Sequence, residues 1–291
     1  MNTSAVVLSG GHEVRHRPWF QRVFRPYVRR KLGRTFDGVH VAGLDEIKKQ
    51  IADRPLILAA NHSSWWDALL LVAFDDILAT ESYCLMDAEN LRRLPFFGWL
   101  GAVPLDRRAP RQAIKDLKAS AVLLQRPRQV MWIFPQGRIF PPELRPLRLR
   151  SGVGVLARAA DAAVVPVSFS YPFRELARPS VAVTFGPPVE PEVARGKGLL
   201  PALEVGLVAG LARNTAFAAR EDDGFEQVIG SPGRREATGA DTTGFGARLL
   251  SWLAPSRPRS RVRSATPAAS RRPRALGAAA ASLPPEERHS S

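Results

Sequence analysis

A single cysteine, Cys84, in a chain of 291 residues excludes an intramolecular disulfide and any thiolate metal cluster. No run of about 18 or more uninterrupted apolar residues occurs, so no transmembrane helix is expected. A membrane, if the protein meets one, is met from its surface. The N-terminal residues carry no apolar signal core followed by a small-residue cleavage site. Acidic residues are in deficit: 27 Asp and Glu stand against 42 Lys and Arg, a formal charge of +15. That imbalance points to an anionic partner, whether phospholipid surface, nucleic acid or phosphorylated substrate. Histidines number five (His12, His16, His40, His62 and His289), with no ligand spacing beyond His12 and His16, so no metal and no cofactor is implied.

What is present divides the chain into three stretches. Residues 1–36 read as a basic helical arm. Phe20, Val23, Phe24, Tyr27, Val28 and Leu32 form an apolar stripe at helical spacing opposite a run of arginines, and Pro26 is expected to kink or split the helix. Such an arm suits a headgroup layer, each basic residue adding about 1 kcal/mol near an anionic surface. Residues 37–225 alternate β-rich runs with helical patterns. Strands are expected at 39–41, 56–60, 83–86, 103–105, 130–134, 164–169 and 181–185, and helices near 66–79, 110–126, 151–162 and 190–220. The fold class implied is α/β: a mixed, largely parallel sheet of about seven strands flanked by helices. Its active site belongs where loops leave the carboxyl ends of the strands. Residues 226–291, rich in Arg, Pro and Ala, read as a disordered tail.

The chemistry-bearing residues follow the apolar run 56–60. His62 stands just past that strand and Asp67 five residues on, in the first turn of the next helix. The carboxylate can hold one ring nitrogen, fix the tautomer and make the other nitrogen a base for a substrate hydroxyl. Further along, Phe134-Pro135-Gln136-Gly137 ends a buried strand in a turn whose glycine permits close backbone approach, placing N–H groups where an oxyanion or phosphate would bind. Arg107 and Arg138 offer planar forks for a phosphate or headgroup. Trp65 and Trp66 read equally as pocket lining or as core.

Asn61-His62-Ser63-Ser64-Trp65-Trp66-Asp67 resembles the His-x4-Asp box of the glycerolipid acyltransferases, the lysophosphatidate and glycerol-3-phosphate acyltransferase group. Three further blocks follow in the same order: Gly101 to Arg107, Phe134 to Arg138, and Val164-Val165-Pro166-Val167. The resemblance covers residues 18–220 and implies an O-acyltransferase. An acyl group would pass from acyl-CoA or acyl-carrier protein to a hydroxyl of a lysophospholipid or other lipid, with His62 as base and Asp67 orienting it. It implies substrate contacts from Asn61, Ser64, Arg107, Phe134, Pro135, Gln136, Gly137 and Arg138. It also implies a peripheral place on the cytoplasmic face of a membrane carrying anionic lipid. Two positions depart from the family pattern: its usual Glu is Gln136 here, and its Thr or Ser is Arg138. A rival reading is a non-catalytic basic protein binding membrane or nucleic acid, but no nucleic-acid motif lies between the basic ends. A hydrolase would want a Gly-x-Ser-x-Gly elbow, which is missing.

Overall fold

The structure is a computed structural model, and it describes residues 6–7, 13–14, 16–174 and 177–230. The expected disordered tail therefore lies, from residue 231 on, outside the described residues, as do His12 and His289. A two-stranded antiparallel pair, β1 (Val6–Val7) and β2 (Glu13–Val14), precedes helix α1 (Pro18–Thr35). There follow β3 (Val39–Ala42), α2 (Leu44–Asp53), β4 (Leu56–Ala60), α3 (Asp67–Leu78), β5 (Glu81–Asp87) and α4 (Ala88–Arg93). A 3-10 turn (Pro95–Leu100) leads to β6 (Ala102–Leu105), α5 (Pro110–Ala119) and β7 (Gln129–Ile133). The chain then runs through α6 (Gly152–Ala160), β8 (Ala163–Ser170), β9 (Val181–Phe185), α7 (Pro191–Arg195), α8 (Leu199–Ala218) and β10 (Glu226–Ile229).

Eight strands form one mixed sheet in the order β10-β3-β9-β8-β4-β7-β5-β6. The five from β8 to β6 are mutually parallel, as are β3 and β9, while β8–β9 and β10–β3 are antiparallel. All seven expected strands are present. The eighth, β10, begins where a tail was expected, because Glu226–Ile229 pairs with β3 and buries Ile229.

The centre of the sheet is β4, Leu-Ile-Leu-Ala-Ala, buried at every position. A parallel strand covered on both faces reads as a continuous apolar run rather than an alternation. Its odd and even residues feed separate cores. Leu56, Leu58 and Ala60 pack with Val28 and Leu32 of α1, Ile47 and Ile51 of α2, and Leu70 and Phe74 of α3. Ile57 and Ala59 pack with Leu117 of α5, Leu156 of α6 and Leu203 and Leu207 of α8. Each such fully buried aliphatic contributes about 1.5–3 kcal/mol, so both helical layers are held firmly to the strands that carry the loops.

Pro26, expected to kink or split helix α1, does not split it: the helix runs from Pro18 to Thr35 with Pro26 inside. The reason is tertiary. Val28 and Leu32 are buried, and Arg25 ties α1 to α3 through Asp75 (3.2 Å) and Asp76 (2.9 Å), so packing offsets the one backbone bond that proline removes. The expected single helix over 190–220 is two, α7 and α8, parted at Gly196 to Gly198, and the 110–126 pattern tightens into a 3-10 turn after Ala119. No helix among the described residues is long and apolar enough to cross a membrane.

Candidate active site

Parallel strands deliver their carboxyl ends to one edge of the sheet, about 4.8 Å apart. Along that edge stand, in spatial order, Tyr171 after β8, Asn61 and His62 after β4, Phe134 to Gly137 after β7, Asp87 closing β5 and, after β6, Arg107. Residues far apart in sequence thus meet because the sheet order is β8-β4-β7-β5-β6.

The first turn after β4 is fixed by Asn61. Its side chain is buried and imitates a strand residue, Oδ1 accepting from the Phe169 amide (2.7 Å) and Nδ2 donating to the Phe169 carbonyl (3.0 Å). Both functions of this amide are therefore engaged with β8. The chain then bends, and the first residue of α3 folds back on it. Asp67, with no exposed surface, accepts at Oδ2 from His62 Nδ1 (2.7 Å) and from the Ser63 and Ser64 amides (2.9 and 3.0 Å). Its other oxygen, Oδ1, accepts from the Tyr171 hydroxyl. Burying a lone carboxylate costs several kcal/mol, and these four donors, with the amino end of α3, offset it. Ser64 is held within the bend, its hydroxyl accepting from the Trp66 amide (3.2 Å).

His62 is fixed from every side but one. Its ring stacks on Phe134 at 4.3 Å between centroids, its amide donates to Gln136 Oε1 (2.8 Å), and its carbonyl accepts from the Phe140 amide (2.8 Å). With Nδ1–H given to Asp67, Nε2 is the lone-pair nitrogen. It makes no hydrogen bond among the described residues, and the side chain keeps 22% of its surface exposed. A fixed tautomer with an open basic nitrogen is the arrangement a general base requires.

Gln136 is buried and uses both ends of its amide: Nε2 donates to the Leu147 carbonyl (2.9 Å) while Oε1 holds His62. Gly137 takes a positive φ of 71°, which L side chains rarely adopt, and closes the turn by donating to the Phe134 carbonyl (2.9 Å). Pro135 is buried and its carbonyl accepts from the Arg150 amide (2.9 Å). The amides of Arg138 and Ile139, next along, make no hydrogen bond among the described residues.

Arg107 donates through Nε to Asp87 (2.8 Å) and through Nη1 to the Gly137 carbonyl, so one guanidinium bridges three strand ends. Burial works against the charge on Asp87, but bonds from Arg107 and the Glu89 amide outweigh it and hold that carboxyl below its ordinary value. Arg138 is exposed and lies over the Phe140 ring at 4.6 Å, with Arg148 at 5.8 Å from the same ring. Trp66 packs edge-on to Phe36 at 5.1 Å, while Trp65 is 61% exposed. Among the described residues no cluster of three or more His, Cys, Asp or Glu is placed to hold a metal.

The whole His62–Asp67 bend, Arg107 and the 134–138 turn fall in a span that matches a known family: residues 38–170 fit the family model described as Acyltransferase. Residues 38–170, a little under half of the chain, thus carry an acyltransferase domain of the glycerolipid acyltransferase family. No curated protein matches the chain significantly. An acyltransferase has an acyl donor and an acceptor, and the acyltransferase domain here ends its family match at residue 170, just short of Tyr171. Tyr171, Asp87 and the Leu147 carbonyl were not singled out from sequence. For Asp87 a signal existed, a carboxylate closing a strand on the loop-bearing edge. For the other two the signal is only spatial.

Proposed function

We propose that this protein is an O-acyltransferase that moves a fatty acyl group from acyl-CoA or acyl-carrier protein to a hydroxyl of a lysophospholipid or other lipid. The observation that carries the reading is the 2.7 Å bond from His62 Nδ1 to the buried Asp67, which leaves Nε2 open. As the acceptor hydroxyl attacks the thioester carbonyl, His62 Nε2 takes its proton, and a tetrahedral oxyanion forms. The free amides of Arg138 and Ile139 supply donors for that charge, since the Gly137 amide is spent on its own turn. Asp67 stabilises the imidazolium without becoming protonated. The intermediate collapses with breakage of the carbon–sulfur bond, the thiolate recovers the proton from His62, and the ester and free thiol depart. No cofactor takes part.

Asn61, Phe134, Pro135, Gln136 and Ser64 shape the walls of this site. Arg107 and Arg138 set the polarity of its mouth, suiting an acceptor with an anionic or strongly polar headgroup.

The acceptor is reached from a membrane surface. Helix α1 leaves Trp19 (59%), Val23 (69%) and Tyr27 (53%) exposed among its arginines, and Trp19 meets Trp99 of the 3-10 turn at 5.8 Å. Apolar and aromatic side chains framed by basic ones are the composition of an interfacial helix on anionic lipid. We place the protein peripherally on the cytoplasmic face, where thioester donors are available. The test is incubation with labelled acyl-CoA or acyl-carrier protein and a total lipid extract in vesicles. A labelled lipid is expected, its mobility identifying the acceptor; folded protein that labels no lipid with either donor contradicts the proposal.

A further inference from the structure

Tyr171 stands outside every sequence block that pointed to the site, 104 residues from the carboxylate it touches. It gets there through register. Strand β8 pairs in parallel with β4, Ala60 opposite Val167, so β8 runs three residues beyond the end of its neighbour. Asn61 bonds both the amide and the carbonyl of Phe169, extending the pairing after the backbone of β4 has turned away. The next residues, Ser170 and Tyr171, are thereby set beside the His62–Asp67 bend, and the Tyr171 ring rests against Phe36 at 5.6 Å.

The two oxygens of Asp67 are unequally served. Among the described residues Oδ2 takes three donors, His62 Nδ1 and two amides, whereas Oδ1 takes only the Tyr171 hydroxyl. Donors on both oxygens fix a carboxylate about its Cβ–Cγ bond more firmly than donors on one, and only one orientation aims Oδ2 at the imidazole. We infer that Tyr171 is a positioning residue for acyl transfer: its hydroxyl pins Asp67 Oδ1 and so holds Oδ2 on His62 Nδ1 as the base takes up its proton. The inference rests on the proposed role of His62 as that base. Burial, with the neighbouring Asp67 charge, pushes the phenol well above its ordinary value, so it stays a donor throughout the working range of pH.

The experiment compares wild type, Tyr171→Phe and His62→Ala in full-length protein, measuring kcat and KM for donor and acceptor together with the low-field proton resonance of the His62–Asp67 bond. Tyr171→Phe is expected to lower kcat about ten- to a hundredfold, the factor of one hydrogen bond to a charged group. Both KM values should move less than about twofold, and the low-field resonance should leave its wild-type position. 3-Fluorotyrosine incorporated at position 171 restores the donor and should restore kcat. Unchanged kcat and an unmoved resonance in Tyr171→Phe, with His62→Ala inactive, overturn the role of Tyr171 and leave the base intact. Activity retained in His62→Ala overturns both. If Tyr171→Phe does not fold, the fluorotyrosine protein decides: a resonance that fails to respond to the stronger phenol donor overturns the inference.

Discussion

Replacing Gln136 by Glu exchanges an NH2 group for an oxygen at a buried point where both ends of the side chain are committed. Oε1 accepts from the His62 amide at 2.8 Å, which a carboxylate does equally well. At the other end Nε2 donates to the Leu147 carbonyl at 2.9 Å, which an ionised carboxylate cannot do. The introduced carboxyl would face a carbonyl oxygen in a position only 3% exposed, and its protonated form, which can still donate, is favoured. Taking its folded-state pKa as raised by about two units, from about 4.3 to about 6.3, the penalty at pH 8 is about 2.7 kcal/mol. A group whose folded-state pKa is raised contributes its stability below the unfolded value and loses it as pH rises through the folded one. At pH 5 the penalty is therefore only about 1 kcal/mol. For a fold of this size Tm should fall by about 5–10 °C at pH 8, and by well under half of that at pH 5. Thermal melts of Gln136→Glu beside wild type at the two pH values provide the test. A pH-independent difference, or a variant as stable as wild type at pH 8, would contradict a buried, donating role for this amide.

Other predictions follow from the same geometry. Burial raises Asp75 to about 7 despite its bond to Arg25, so wild type should lose stability as pH climbs through that value. Asp75→Asn abolishes this loss, and parallel Tm–pH curves for the two proteins would contradict it. Cys84 is half-buried, and its thiol is pushed up to about 12, first by desolvation of the sulfur and then by Asp75, so native protein at pH 8 should react with a thiol reagent at least about a hundredfold more slowly than a free thiol. A rapid stoichiometric reaction would contradict this. Asn61→Ala removes two buried hydrogen bonds to Phe169 and should cost about 2–3 kcal/mol in urea unfolding, where a loss below about 0.5 kcal/mol would be too small for the role described. Trp19→Ala combined with Tyr27→Ala should weaken flotation with anionic vesicles while leaving turnover of a detergent-dispersed acceptor within about twofold. Undiminished flotation would place the membrane face elsewhere.

Much of this architecture was legible because its signals are local. The run Leu56–Ala60 is apolar at every position, as a strand buried on both faces must be, and it ended where expected. His62 and Asp67 are five residues apart across one bend, so spacing allowed their meeting, and the ordered blocks that follow at 101–107, 134–138 and 164–167 singled the pair out. What escaped depends on partners distant in sequence. Strand β10 reads Glu-Gln-Val-Ile at the start of a polar, low-complexity stretch and exists because β3 offers it an edge. Helix α2 was not among the expected helices, although Leu44, Ile47 and Ile51 give it a buried face. Gln136 stood out only as a departure from the family's Glu, whereas the fold uses it as a buried amide clamp between His62 and Leu147. Of the paired tryptophans, Trp66 joined the aromatic packing around Phe36 and Trp65 remained exposed. Composition cannot separate those two fates.

The proposed acyl transfer turns on His62, held by Asp67, taking the proton of the acceptor hydroxyl. Its most direct test is acyl transfer by His62→Ala against wild type, under saturating donor and acceptor and with folding confirmed by melting. A fall in kcat of about 10²- to 10⁴-fold is expected, the usual contribution of a positioned base. Turnover within a few-fold of wild type would contradict it.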